Sequence, residues 1–483
     1  MSPEPHRQHF GATLAVLAVS ALAFALLQTM VAPALPAIAR ELHSSTTSVT
    51  WVLTIYLLSA SVCTPILGRL GDMFGKDRVL TAVLVVLGIG TVVAALSTSL
   101  EMLIAGRAIQ GAGGAIFPLA FGIIRDEFPP ARVGAGIGLI SATFGIGGGG
   151  GLVLAGIIVD NLHYAWIFWL ALVLIVAAVV ATHFFVPPSP VRSPARIDWL
   201  GAIGLGIGLS CILLAVSEGN GWGWTSARTL GLGAGGALVL AAWGRFETRV
   251  PEPMVDMRMM RMRGVWTTNL TSLLTGFGMF GAYLLLPQLV QMPAAAGFGF
   301  GATVTEAGLF LLPSALVMLI AGPLAGALAS RYGGRVPLLL GVVLATASFL
   351  MLAFAHSTRW EIYVASALNG FGIGMSFASM ATLIVDAVPQ GQTGVATGMN
   401  TIMRTVGGAL GAQIAASVVS AHVGAGGLPL ESGFTDAFAA SAGALVLALI
   451  AGLLIPGRRA AAVVPHGQPR LGEPRTATTS ARP

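Results

Sequence analysis

Arg107, Arg404 and Asp72 are the residues whose chemistry this chain must account for, because each falls inside or beside an apolar run. A guanidinium in hydrocarbon is costly unless it is paired or hydrated, so a buried arginine is a functional candidate by default. Arg107 sits in Leu103-Ile104-Ala105-Gly106-Arg107-Ala108-Ile109-Gln110-Gly111-Ala112-Gly113, and Arg404 lies four residues after Asn400. Asp72 stands in the charged, glycine-rich turn Gly68-Arg69-Leu70-Gly71-Asp72-Met73-Phe74-Gly75-Lys76-Asp77-Arg78. Such a turn belongs at a membrane surface, and its glycines let the backbone reverse. The carboxylate suits the positive N-terminal end of a facing helix, near Gly394, with Arg78 holding it in place. Glu306 reads either as a proton carrier or as a helix N-terminal charge, and Asp126 and Glu127 as solvated surface charges. Arg404 either finds Asn400 one turn away or snorkels to the inner surface.

The elements that position these groups are membrane helices. Of the 483 residues, 55% are hydrophobic and 9% charged, with mean hydropathy +0.85, whereas a soluble domain carries about a quarter charged residues. Fourteen runs approach the ~20 apolar residues that span a bilayer. The arginines crowd the even-numbered connections when the N-terminus is placed inside. Only Arg40, Arg228 and Arg359 then lie outside, as the positive-inside rule requires. The net charge of +6 is therefore a topology signal and does not point to nucleic acid. Cys63 and Cys211 lie in apolar runs and read as small core residues.

The turn repeats weakly 258 positions later as Gly326-Ala327-Leu328-Ala329-Ser330-Arg331-Tyr332-Gly333-Gly334-Arg335, with Ser330 in place of Asp72. An internal repeat in a membrane protein points to two bundles moving about a central site. Together these motifs resemble the major facilitator superfamily. The first turn is similar to its G-x-L-x-D-x-x-G-[RK]-[RK] loop, and Arg107 to Gly113 to its R-x-x-Q-G-x-G motif. The layout resembles the 14-span drug:proton antiporters. That resemblance implies an all-α polytopic membrane protein, with a cytoplasmic N-tail over 1–11 and a six-helix bundle over 12–186. Linkers and an inserted two-helix hairpin follow over 187–263, a second six-helix bundle over 264–456, and a disordered cytoplasmic tail over 457–483. It implies a cytoplasmic latch made by Gly68, Asp72, Gly75, Lys76 and Arg78, with Arg331 and Arg335 in the second copy. It implies proton coupling at Arg107, with Gln28 standing where relatives carry an aspartate, and bundle closure at Gly147, Gly151 and Gly156.

Candidate cavity residues are Trp51, Tyr56, Asn269, Tyr283, Gln288 and Asn400, each of which reads equally as a packing residue. The sequence holds no G-x-x-x-x-G-K-[ST] loop, zinc spacing or nucleophile motif, so an ion or substrate gradient is the expected energy source. The expectation is a non-enzymatic exporter of hydrophobic drug-like or antibiotic compounds in the bacterial plasma membrane, exchanging them for protons. The alternative is a facilitator or lipid-like flippase with weak coupling. No cofactor, metal or nucleic acid is expected; lipid, protons and a small hydrophobic substrate are, around a monomer.

Overall fold

The computed structural model describes residues 10–193, 196–424 and 427–457; most of both predicted tails lies outside them. The long helices are α1 (Phe10–Thr29), α2 (Trp51–Phe74), α3 (Lys76–Ala95), α4 (Leu100–Glu127), α5 (Pro130–Asn161), α6 (Trp166–Phe185) and α7 (Trp199–Ser217). They continue as α8 (Ala227–Glu247), α9 (Arg263–Gln291), α10 (Val304–Tyr332), α11 (Arg335–Phe354), α12 (Arg359–Ala387), α13 (Thr393–Ala421) and α14 (Glu431–Leu453). Among the described residues thirteen helices are long and apolar enough to cross a membrane. Helix α8 is as long, but five glycines and the charges of Arg228, Arg245 and Glu247 lower its hydropathy below the others.

Local chemistry sets the helix ends. Ser99, Asp198 and Ser226 accept the backbone N–H of Met102, Gly201 and Thr229, capping α4, α7 and α8. Gly75 (φ 106°) and Gly333 (φ 84°) end α2 and α10 in the left-handed half of the map, where a side chain would be strained. These two glycines occupy equivalent places in the repeat. Two helices are irregular inside: α4 tightens to a 3₁₀ turn at Gly111–Ala115, and α5 widens to a π turn at Ile146–Gly150. Such breaks in the i→i−4 ladder often mark functional positions.

Helices α1–α6 pack with one another, and so do α9–α14. The halves meet along two seams, α2 against α13 and α5 against α10. Each seam is built on glycine. A Cβ added at Gly68 would stand 2.6 Å from the Gly394 carbonyl oxygen, and one at Gly134 would stand 3.0 Å from that of Gly326. Gly326 is the repeat partner of Gly68, so the two seams are quasi-equivalent. Without a hydrophobic drive between helices in lipid, close backbone approach is what holds such a seam. The hairpin of α7 and α8 lies against the α2/α13 side. Ala202, Leu205 and Leu209 cluster there with Val395, Ala396, Met399 and Ile402. At its far turn, Asn220 Nδ2 donates to Gln413 Oε1 (2.8 Å) and Trp224 Nε1 to Ser417 Oγ (3.0 Å).

Candidate functional site

The first part of the site is a clasp across the α2/α13 seam, on the arginine-rich face. Asp72 is fully buried near the end of α2. Its Oδ1 accepts the Gly394 N–H at 3.0 Å and its Oδ2 the Val395 N–H at 3.1 Å. These are free donors in the first turn of α13, so the carboxylate meets both unpaired N–H groups and the positive end of the helix dipole. Lys76, also buried, places Nζ 3.3 Å from Asp72 and 2.7 Å from Asp126 Oδ2. The connector after α6 braces the loop: Ser189 Oγ accepts from the Lys76 N–H (2.8 Å), and the Ser193 N–H donates to the Asp72 carbonyl (2.8 Å). Beside it Arg125, on α4, donates to the Val388 carbonyl (2.7 Å) and to Thr393 Oγ1 (2.6 Å) in the other half.

Two expectations about this face need correction. Arg78 is exposed and makes no ion pair with Asp72; Lys76 does that work, because Gly75 turns the chain so that position 76 points back under α2. Asp126 is buried as the second partner of Lys76, and Arg125 crosses to the opposite half. The sequence signal for both was Lys76 itself, the single lysine of the chain, standing at the foot of an apolar run. An Arg78→Gln variant is expected to keep the unfolding free energy of the purified protein within ~0.5 kcal/mol of wild type, as a surface change should; a larger loss would return Arg78 to the clasp. In the second copy Arg331 lies along Tyr332, Arg335 donates to the Leu453 carbonyl (2.7 Å), and Ser330 Oγ bonds back to Gly326 (2.7 Å). Among the described residues the buried carboxylate on a helix N-terminus therefore belongs to the α2/α13 seam; the α5/α10 seam carries an exposed one, Asp160 Oδ2, which accepts from Thr305 Oγ1 (2.9 Å).

The second part is Arg107, fully buried on α4. Its Nε donates to the Val52 carbonyl (3.2 Å), and Nη1 to the Leu27 carbonyl (3.1 Å) and to Gln110 Oε1 (2.8 Å). The guanidinium lies 3.8 Å above the Tyr56 ring. It ties α1, α2 and α4 together with no carboxylate. Gln28 does not bond to it; half-buried, it faces the central cavity instead.

That cavity is the third part. Phe24, Gln28, Tyr56, Phe144, Phe280 and Arg404 are among its walls, drawn from both halves. At about 30 Å³ it admits a water molecule, whereas a drug-sized ligand needs roughly 300–1,000 Å³, so the halves are drawn together here. Arg404 neither snorkels nor meets Asn400. It lies 4.3 Å above Phe377 and 5.6 Å from Phe144, while Asn400 donates to Asn269 Oδ1 (2.9 Å). Tyr283 lines a separate small space with Ser314, Ser366 and Asn369.

This arrangement of two repeated halves, one clasp and one midline cavity can be set beside known proteins. The family model for the Major Facilitator Superfamily matches residues 17–412 and 270–481. The chain belongs to the Major Facilitator Superfamily. An uncharacterized MFS-type transporter of Mycobacterium tuberculosis is 32% identical over 77% of this chain and 54% of its own length, so the chain spans about half of that relative. The tetracenomycin C resistance and export protein of Streptomyces glaucescens is 28% identical over 80% of this chain and 71% of that protein. The multidrug efflux pump LfrA of Mycolicibacterium smegmatis is 27% identical over 80% and 76%. The crystal structure of the human organic anion transporter MFSD10 shares the fold, with TM-score 0.65 and 18% identity over 93% of this chain and all of that one.

Other candidates drawn from the superfamily resemblance are placed differently. Gly147 and Gly151 pack within the first half, against Ala25 and Thr29 of α1. Gly156 alone of the three meets the second half, at Thr305. The seam itself uses Gly134, Gly138 and Gly149 of α5, whose facing partners on α10 are not visible in a linear string. Glu306 is exposed and closes a reciprocal cap with Thr303 (Thr303 N–H to Oε2, 2.9 Å), which satisfies two helix-end donors and occupies it away from the cavity. Gln288 is exposed, and Trp51 sits at the start of α2 away from the cavity wall.

Proposed function

We propose that this chain exports hydrophobic drug-like or antibiotic compounds across the bacterial plasma membrane in exchange for protons, by alternating access of the central cavity. In this reading α8 is a fourteenth span, both termini are cytoplasmic and the arginine-rich face is the cytoplasmic one. The observation that carries it is the Asp72 clasp. It joins two halves through hydrogen bonds to a helix end, and these can break and re-form without unfolding either half. Two such halves about a midline cavity can expose it to one side at a time. The names of the Streptomyces and Mycolicibacterium relatives support export of such compounds.

Inside-out vesicles containing the purified protein test the reading with a panel of neutral, cationic and anionic compounds. An imposed inward-acid ΔpH is expected to drive accumulation of at least one, abolished by nigericin. A second reading, an exporter or flippase with weak proton coupling, is favoured by Arg107: carbonyls, an amide and a ring surround it, and none releases a proton in the working range. Transport that ignores ΔpH would establish that reading and remove the first.

A further inference from the structure

Resting on the export reading, we propose that the central cavity selects acidic aromatic compounds, and that Arg404 is the residue that binds their carboxylate or phenolate. Arg404 stands about 16 Å along α13 from Thr393 at 1.5 Å per residue, near the middle of a ~30 Å hydrocarbon layer. It is the one charged side chain on the cavity wall; the other lining residues are apolar, aromatic, amide or hydroxyl. Its cation has no counter-charge: among the described residues no carboxylate lies within ion-pair distance.

Its surroundings leave the charge usable. The ring of Phe377 lies 4.3 Å from the guanidinium carbon and that of Phe144 5.6 Å, and the two rings meet edge to face at 5.7 Å. The rings attract the guanidinium charge without offering its N–H groups a carboxylate, carbonyl or hydroxyl acceptor. The N–H groups lie in its plane, in the fork that matches a carboxylate. Two further cavity-wall hydroxyls, Tyr56 Oη and Ser61 Oγ, are buried without a hydrogen-bond partner. A buried polar group without a partner is costly, and a ligand oxygen would satisfy both as donors. Behind Tyr56 lies a second cation, Arg107, 3.8 Å from its ring. Cations, free donors and aromatic walls together describe a receptor for an anion carried on a flat apolar frame; an organic cation would meet two like charges and no acceptor of formal charge.

The energetics agree with the carboxylate-free interior. A cell interior is electrically negative, so an exported anion runs down the potential, worth about 50-fold in concentration per charge per 100 mV. Such a substrate needs no titrating acid beside it.

Equilibrium binding to purified protein in zwitterionic nanodiscs tests the assignment, using fluorescein as the anion and rhodamine 123 as the cation on the same ring frame, at pH 8. Wild type is expected to bind fluorescein at least about 10-fold more tightly, and Arg404→Gln to weaken fluorescein about 10- to 100-fold, the range for a charge-assisted bond. Arg404→Lys should retain part of the preference. Equal or tighter binding of rhodamine 123 by wild type overturns the proposal without recourse to any variant. So does undetectable fluorescein binding, or a folded Arg404→Gln protein with unchanged preference. Vesicle transport of rhodamine 123 alone would sink the anion assignment and keep the export reading. Fluorescein bound but never moved would do the reverse.

Discussion

Asp72→Asn is expected to leave expression and membrane insertion normal while export falls by more than about tenfold. The folded fabric survives because Lys76 keeps Asp126 at 2.7 Å, so no unpaired buried charge is created. The clasp does not survive. An asparagine amide presents one acceptor where the carboxylate gave two, and the charge facing the α13 N-terminus is gone. Two hydrogen bonds to a charged group are reduced to one neutral bond, a loss of roughly 2–3 kcal/mol, or about 30- to 150-fold in the balance between closed and open arginine-rich faces. Spin labels at positions 78 and 390, both exposed, with Cys63 and Cys211 replaced, would report the change as a longer inter-label distance. An unchanged distance distribution with normal export would show that the clasp sets nothing.

Gly138→Val is expected to abolish closure at the other seam. A Cβ at position 138 lands on the carbonyl of Gly322, which is backbone and has no rotamer by which to yield. Gly322 stands in the reciprocal position against the Gly138 carbonyl. The helices must separate, and every contact between Gly134 and Gly145 on α5 and its α10 partners weakens with them. Overpacking a tight core costs about 1–3 kcal/mol, here charged only to the closed form, so export should drop about 10- to 100-fold at normal protein level. The same spin-label pair should read the open face. Gly150→Ala is the control: the nearest neighbour of its added Cβ is 3.9 Å away, on Ile146 of its own helix, and it should transport normally.

The two variants also mark what a linear string reveals. The Asp72 motif was legible as a charged break between two apolar runs, but the reversal is confined to Gly75: Gly68 to Phe74 continue α2, and Asp72 is buried. Its partner Lys76, two residues from the arginine that seemed the better candidate, depended on the turn made at Gly75 (φ 106°). The facing glycines of α5 and α10 depended on helix phase, and these helices are apolar on all sides, so periodicity gives no phase. Gln288 and Trp51 were misplaced for the same reason. Glu306 was ambiguous between two roles until Thr303 was seen to share its bonds. Arg404 was legible as unusual, but the rings that hold it come from α5 and α12, more than two hundred residues apart in the chain.

The α7/α8 hairpin makes the molecule lopsided toward its solvent. Ala202, Leu205 and Leu209 blanket the outer flank of α2 and α13, and Asn220 and Trp224 pin the far end to α13. The flank of α5 and α10 has no such blanket; Leu316, Ile320 and Leu324 stand exposed on it. Acyl chains of the bilayer thus touch the join between the halves along one side only, that of the glycine-lined pair α5 and α10.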